Sequence, residues 1–313
     1  MDRQTVDRSI IDAAPNAGAI SVECVWEGPT RLGECPLWDP RENRLLLIDS
    51  DDARIWRLGS NGADARFWEV PETIGSIGLC DDGRLIAGMA NGFALIDISG
   101  REARLERIGD PEPGLRTRLN DGKVDPVGRF WCGSMCLDFK RKDAALYRLD
   151  PDLTWHRMDG GFTVSNGIAF SRDGAALYFS NSRMDESIRY DLDMRSGKIR
   201  SRRPFVETSS YAGRIDGATV DEAGDYWGAL FDGGAVARFS PEGALLQLVR
   251  LPVSCPTMCA FGGPDMATLY VTSATFSMTK EQLSQEPMAG GLFAIRGLDA
   301  RGVPEPRFAV AGP

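Results

Sequence analysis

Gly128-Arg129-Phe130-Trp131 and Gly224-Asp225-Tyr226-Trp227 share one pattern: a turn glycine, a charged residue, then two aromatics suited to a strand. Four looser copies accompany them: Asn43-Arg44-Leu45-Leu46, Gly83-Arg84-Leu85-Ile86, Ala175-Ala176-Leu177-Tyr178 and Ala267-Thr268-Leu269-Tyr270. In chain order the last residues of successive copies lie 40, 45, 47, 49 and 43 positions apart. A period of roughly 40–50 residues, with several short strands per period and no helical pattern between them, is that of a sheet repeated radially about an axis. The six copies predict an all-β chain folded as a six-bladed β-propeller.

A second recurring segment supports the count. Residues 54–58, 92–96, 145–149, 187–191, 235–239 and 291–295 alternate in polarity, as half-exposed outer strands do. The turns before the first-named segments are rich in Asp, Gly, Pro and Asn, for example Asp125-Pro126-Val127-Gly128 and Asp221-Glu222-Ala223-Gly224, which suits tight hairpins. Upstream, Ser21-Val22-Glu23-Cys24-Val25-Trp26 also alternates and is expected to close the ring by pairing in the last blade. Residues 1–20 mix charges with Ala, Pro and Asn, without the apolar run of a secretory signal, and read as a flexible leader; residues 21–313 read as a single propeller domain.

Bulk properties narrow the function. With 36 basic against 45 acidic residues the formal charge is −9, which argues against nucleic acid or an anionic membrane as partner. No stretch approaches the roughly 20 apolar residues that span a bilayer. The seven cysteines, lacking a signal, are expected to stay reduced in a cytoplasm, and neither C-x-x-x-C pair, Cys132/Cys136 or Cys255/Cys259, has the spacing of common zinc sites. The single histidine, His156, lies in an alternating outer segment, with no nucleophile elbow or zincin pattern around it. Catalysis therefore has to rest on carboxylates, amides, arginine or an oxygen-held metal. Nothing in the repeat specifies an oligomeric state.

Oxygen-bearing residues stand where inner strands begin. Glu34 precedes Asp39 by 5 residues, Asn120 precedes Asp125 by 5, Asn166 precedes Arg172 by 6 and Asp216 precedes Asp221 by 5. Equivalent offsets in different blades mean equivalent radial positions, so these four side chains are expected to converge on the axis at one end of the channel. Two carboxylates and two amides offer hard oxygen donors. They suit one divalent ion, Ca²⁺, Mg²⁺ or Mn²⁺, with Zn²⁺ open through carboxylate oxygen.

The motifs Gly33-Glu34-Cys35-Pro36-Leu37-Trp38, Arg118-Leu119-Asn120-Asp121-Gly122-Lys123-Val124-Asp125, Ser165-Asn166-Gly167-Ile168-Ala169, Ile215-Asp216-Gly217 and Cys259-Ala260-Phe261-Gly262-Gly263-Pro264-Asp265, in this order, resemble the SMP-30/gluconolactonase/LRE family. The resemblance runs from about residue 22 to 298. It implies a six-bladed propeller with one divalent metal in its channel, hydrolysing sugar lactones to aldonic acids. By position it makes Glu34, Asn166 and Asp216 the metal ligands, Asn120 a contact to metal-bound water or substrate, and Arg118 a substrate-binding arginine. The chain departs from the family pattern in two places. Some relatives follow Gly133-Ser134-Met135 with a sugar-binding glutamate, whereas Cys136-Leu137-Asp138 follows here, and Cys35 stands where Ser or Gly is often found.

The expected chemistry is metal-assisted ester hydrolysis with Asp216 as general base as well as ligand, and with Arg118 and Asn120 orienting the sugar. Two rivals use the same residues: a metal-dependent esterase or phosphotriesterase, and a non-catalytic calcium-binding propeller.

Overall fold

A computed structural model describes residues 20–276 and 278–311. The expected leader thus lies outside the described residues, Ile20 excepted. Among the described residues, strands group into six four-stranded antiparallel sheets. Five blades are each continuous in sequence. Their inner strands are Gly33–Asp39, Ile74–Leu79, Thr117–Val124, Ser165–Phe170 and Arg214–Val220, each followed by three more strands moving outward. The sixth blade starts from Pro256–Gly262, continues through Thr268–Ser273 and Leu292–Arg296, and takes its outermost strand, Ser21–Trp26, from the other end of the chain. The chain forms the six-bladed propeller that its repeat predicts.

The closure is a strand pairing with a register, Ser21 opposite Arg296 and Cys24 opposite Phe293. Trp26 then tilts against Trp56 of blade one at 4.8 Å between ring centroids. Deleting the chain through Trp26 removes that strand, and its apolar side chains leave the packing of blades six and one. Loss of the cooperative melting transition is the expected outcome, read by circular dichroism. A melting temperature unchanged by the deletion would show the closure to be dispensable.

Six apolar clusters fill the spaces between neighbouring blades. The first, for example, interleaves Leu37, Leu46 and Ile55 of blade one with Ile74, Ile77 and Leu85 of blade two. The aromatic repeat is explained by these layers and by a buried polar pair that recurs. Trp131 Nε1 donates to Asp125 Oδ2 at 2.9 Å, and Trp227 Nε1 donates to Asp221 Oδ2 at 2.9 Å two blades later. Each aspartate thereby satisfies an indole N–H that the core would otherwise leave unpaired.

Every inner strand slips register against its neighbour at the same place: between Glu34 and Leu37, Ile74 and Ser76, Leu119 and Gly122, Asn166 and Ala169, Ile215 and Ala218, Pro256 and Cys259. A bulge bends the strand and re-aims the side chains beside it. The hairpin that follows starts at Ser171 in blade four, where Gly174 N–H donates to Ser171 O as Gly128 does to Asp125 O. Asn166 therefore lies 5 residues before its turn, not 6 before Arg172, and matches Glu34, Asn120 and Asp216.

The two ends of the channel differ. The C-terminal segment crosses the turn end, with Phe308 N–H donating to Leu79 O, Glu222 N–H to Arg301 O and Ala309 N–H to Gly128 O. Lys123 Nζ and Glu305 Oε1 meet beneath it at 2.7 Å. The starts of the inner strands, where the bulges lie, face the opposite end.

Candidate functional site

A cavity of about 320 Å³ opens at the bulge end, and Glu34, Arg118, Asn120, Asn166 and Asp216 all line it. The repeat explains why only part of the ring is polar. Five residues before their turns, blades two and six place Gly75 and Met258 at the matching positions. A Cβ on Gly75 would lie 2.5 Å from Leu119 O and 2.7 Å from Asn120 Cα, so that glycine lets the Asn120 backbone approach the axis. Met258 packs against Gly217, behind Asp216.

The amides are fixed by a chain of hydrogen bonds around the cavity. Arg118 Nη1 donates to Asn120 Oδ1 at 2.7 Å; Asn120 Nδ2 donates to Ser165 O at 2.9 Å and to Asn166 Oδ1 at 2.7 Å. Asn166 Nδ2 continues to Ser182 Oγ at 2.9 Å, and Ser182 Oγ donates to Ile215 O at 2.8 Å. This relay crosses three blades and holds the amide of Asn166 at the cavity wall, its oxygen accepting from Asn120. Asn120 has its oxygen and its amide nitrogen both engaged, which braces Arg118 on one side and Asn166 on the other.

The carboxylates are treated differently. Among the described residues, neither Glu34 nor Asp216 forms an ion pair within 4.0 Å, and Glu34 Oε2 accepts only a long bond from Cys35 N at 3.4 Å. Burial, then the neighbouring charges of Asp216 and Asp121, push the Glu34 carboxyl well above its ordinary pKa. Asp216 is raised for the same reasons, burial first and Asp121 second, with Arg214 and Arg118 opposing. Asp121, whose Oδ2 accepts from Ile168 N at 2.8 Å, is pushed up to about 6, chiefly by burial. Desolvated carboxylates crowded together, with no cationic partner, are costly unless a cation joins them. Among the described residues no three His, Cys, Asp or Glu side chains are arranged to hold a metal ion, so those side chains alone do not make a metal set here.

Other residues singled out in the sequence fall outside the cavity. Asp138 does not line it; its Oδ1 accepts from Lys140 N and Arg141 N and its carboxylate pairs with Arg141 at 3.1 Å, capping its own turn. Cys35, at φ 50°, exchanges bonds with Ile77 across blades one and two, and burial raises its thiol to about 12. All seven cysteines are free. His156 sits on the outer strand Trp155–Phe162, its Nε2 3.2 Å from Asp150.

The cavity also holds residues to which the sequence assigned no role: Asp51, Phe139, Arg183, Arg214 and Phe276. Arg214 carried a signal, since Arg214-Ile215-Asp216 repeats Arg118-Leu119-Asn120 two blades on. The rest come from loops that keep no phase with the period.

Residues 32–275 match the family model for the SMP-30/Gluconolactonase/LRE-like region. The 6-deoxy-6-sulfogluconolactonase of Pseudomonas putida is 39% identical over 292 residues, taking in 92% of this chain and 99% of that protein. Regucalcin of Gallus gallus is 34% identical over 298 residues, covering 93% of this chain and 99% of that one. Among solved structures, the calcium-binding protein regucalcin from Agrobacterium tumefaciens superposes with a TM-score of 0.87 at 25% identity, over 92% of this chain and 97% of that chain. Among the described residues, no helix is long and apolar enough to cross a membrane.

Proposed function

The chain belongs to the SMP-30/gluconolactonase/LRE-like family, and from that premise we propose that its 21–313 domain is a carboxylic ester hydrolase, a lactonase that opens a sugar lactone to the aldonic acid with the help of one divalent ion. The observation that carries the proposal is the presence in one cavity of two desolvated carboxylates without an ion pair among the described residues, Glu34 and Asp216, and the amide of Asn166. Those three residues would hold the ion. Carboxylate and amide oxygens are hard donors, which favours Ca²⁺, Mg²⁺ or Mn²⁺, with Zn²⁺ acceptable through the carboxylates. The calcium-binding regucalcin structure supports the same choice. When bound, the ion supplies Lewis-acid polarisation of an ester carbonyl.

The remaining work falls to side chains. Asp216 takes a proton from the attacking water as its oxygen bonds to the lactone carbonyl carbon, then returns it to the ring oxygen as the carbon–oxygen bond breaks. Arg118 and Asn120 orient the sugar, and the guanidinium stabilises the negative charge that gathers on the carbonyl oxygen. A cytoplasmic location fits the seven unpaired thiols.

Arg118→Lys tests substrate handling. The planar fork of arginine can hold a lactone oxygen and an adjacent hydroxyl together, which one ammonium cannot. The expected result is a kcat/KM on sugar lactones lower by roughly ten-fold or more, about 1.4 kcal/mol, with metal content unchanged. Equal losses on a small ester without hydroxyls, together with loss of metal, would show that Arg118 maintains the site's structure instead.

One observation favours a second reading. Phe139, Phe231 and Phe276 give the cavity an apolar wall, which would suit an aryl or other non-sugar ester on the same scaffold. Steady-state rates on a panel of aldonolactones, aryl esters and phosphotriesters decide between them. Absence of turnover with every added divalent ion would leave an ion-binding propeller without catalysis.

A further inference from the structure

The cavity is acidic at its floor and carries cations along one wall. Arg183, in the turn Ser182–Met184 after the second strand of blade four, and Arg214, which opens the inner strand of blade five, both line it. Arg214 pairs with Asp232 at 2.6 Å. Arg183 lays its guanidinium over the Phe139 ring, 5.0 Å from the centroid, and among the described residues it meets no carboxylate within ion-pair distance. The two arginines sense each other: burial, then the charge of Arg214, lowers the pKa of Arg183, while Asp232 and Asp216 oppose the shift. In a chain of net charge −9, two cations therefore share one wall of the cavity with Asp232 as their nearest compensating charge.

Spacing ties this wall to the reacting end. Arg214 and Asp216 are two residues apart on one strand and both line the cavity, so the cationic wall adjoins the proposed base. A lactone with its ester carbon at Asp216 therefore brings a substituent on its far carbon toward the arginines. A hydroxyl at that far carbon offers a guanidinium a single neutral acceptor, whereas an oxyanion offers charge-assisted, forked hydrogen bonds, which strengthen away from bulk water.

Building on the lactonase reading, we propose that Arg183, supported by Arg214, binds an anionic substituent at the end of the lactone remote from its ester, so that the enzyme selects acidic over neutral sugar lactones. Sulfonate, phosphate and carboxylate share the required chemistry. The test measures kcat/KM of the metal-loaded enzyme on gluconolactone and on its C6-sulfonate, C6-phosphate and C6-carboxylate analogues, for the wild type, Arg183→Met and Arg183→Lys. The wild type is expected to prefer at least one acidic analogue by ten-fold or more, and the preferred one names the anion. Arg183→Met should cut that preference by ten-fold or more, and Arg183→Lys should restore part of it. A wild type that hydrolyses gluconolactone as well as every acidic analogue, or a preference untouched by Arg183→Met, overturns the proposal and leaves the lactonase reading standing. If no lactone is hydrolysed, the lactonase reading fails and calorimetry with 6-phosphogluconate decides the anion site separately. A Kd weakened ten-fold by Arg183→Met upholds it, and an unchanged Kd overturns it.

Discussion

Asp216→Asn is expected to lower kcat on the lactone substrate by roughly 10²–10⁴-fold, the range that general-base catalysis contributes. The substitution keeps the shape of the side chain and removes its charge and its basicity. Little structural damage should accompany it. Asp216 lies at the bulge of blade five, with its backbone held by the strand Arg214–Val220 and by Met258 packed behind Gly217. Its carboxylate makes no ion pair that the change would break among the described residues. Turnover and metal content are measured together, because the same carboxylate is assigned to both tasks. A variant retaining more than about a tenth of wild-type activity, far above what loss of a general base allows, removes Asp216 from the role of base.

The propeller was legible because its repeat is written in residues that do the same physical work in each blade. The turn glycines and the Asp–Trp pairs of blades three and five are examples. The candidate site was legible for a related reason. Glu34, Asn120, Asn166 and Asp216 keep one distance from their turns, and a bulge that recurs at that distance turns each toward the axis. What lacks phase was hidden. Arg183, Phe139 and Phe276 sit in connections whose lengths vary from blade to blade, so no offset predicts that they share a cavity. Asp121 carried no assigned role, yet its side chain reaches across to the backbone of Ile168 and ties blade three to blade four. Asp138 shows the converse, a carboxylate near the expected sequence position whose bonds are all spent on its own turn. The C-terminal strap has no alternation to announce it. Its order comes from backbone bonds to Leu79, Gly128 and Glu222, one in each of three blades.

Glu34→Gln is expected to weaken divalent-ion binding by at least ten-fold while making the ion-free protein more stable at neutral pH. The first effect follows from removing one of the two carboxylates in a hard-donor set. The second follows from proton linkage. Glu34, Asp216 and Asp121 all have folded pKa values raised above the ordinary value near ~4, Asp121 to about 6. The folded state therefore holds protons that the unfolded chain releases. Their contribution to stability is present in full below the unfolded pKa and is lost as pH rises through the folded values. The melting temperature of the ion-free wild type should accordingly fall between about pH 4 and pH 7. In Glu34→Gln one of the three crowded charges is gone, so the fall should be shallower. Adding Ca²⁺, Mg²⁺ or Mn²⁺ at pH 7 should raise the wild-type melting temperature and raise that of the variant less, since a ligand stabilises the state it binds in proportion to its affinity. Chelation should abolish wild-type hydrolysis, and the added ion should restore it. Full activity in protein shown by elemental analysis to be free of metal would overturn the divalent-ion mechanism. An ion affinity unchanged in Glu34→Gln would remove Glu34 from the ligand set.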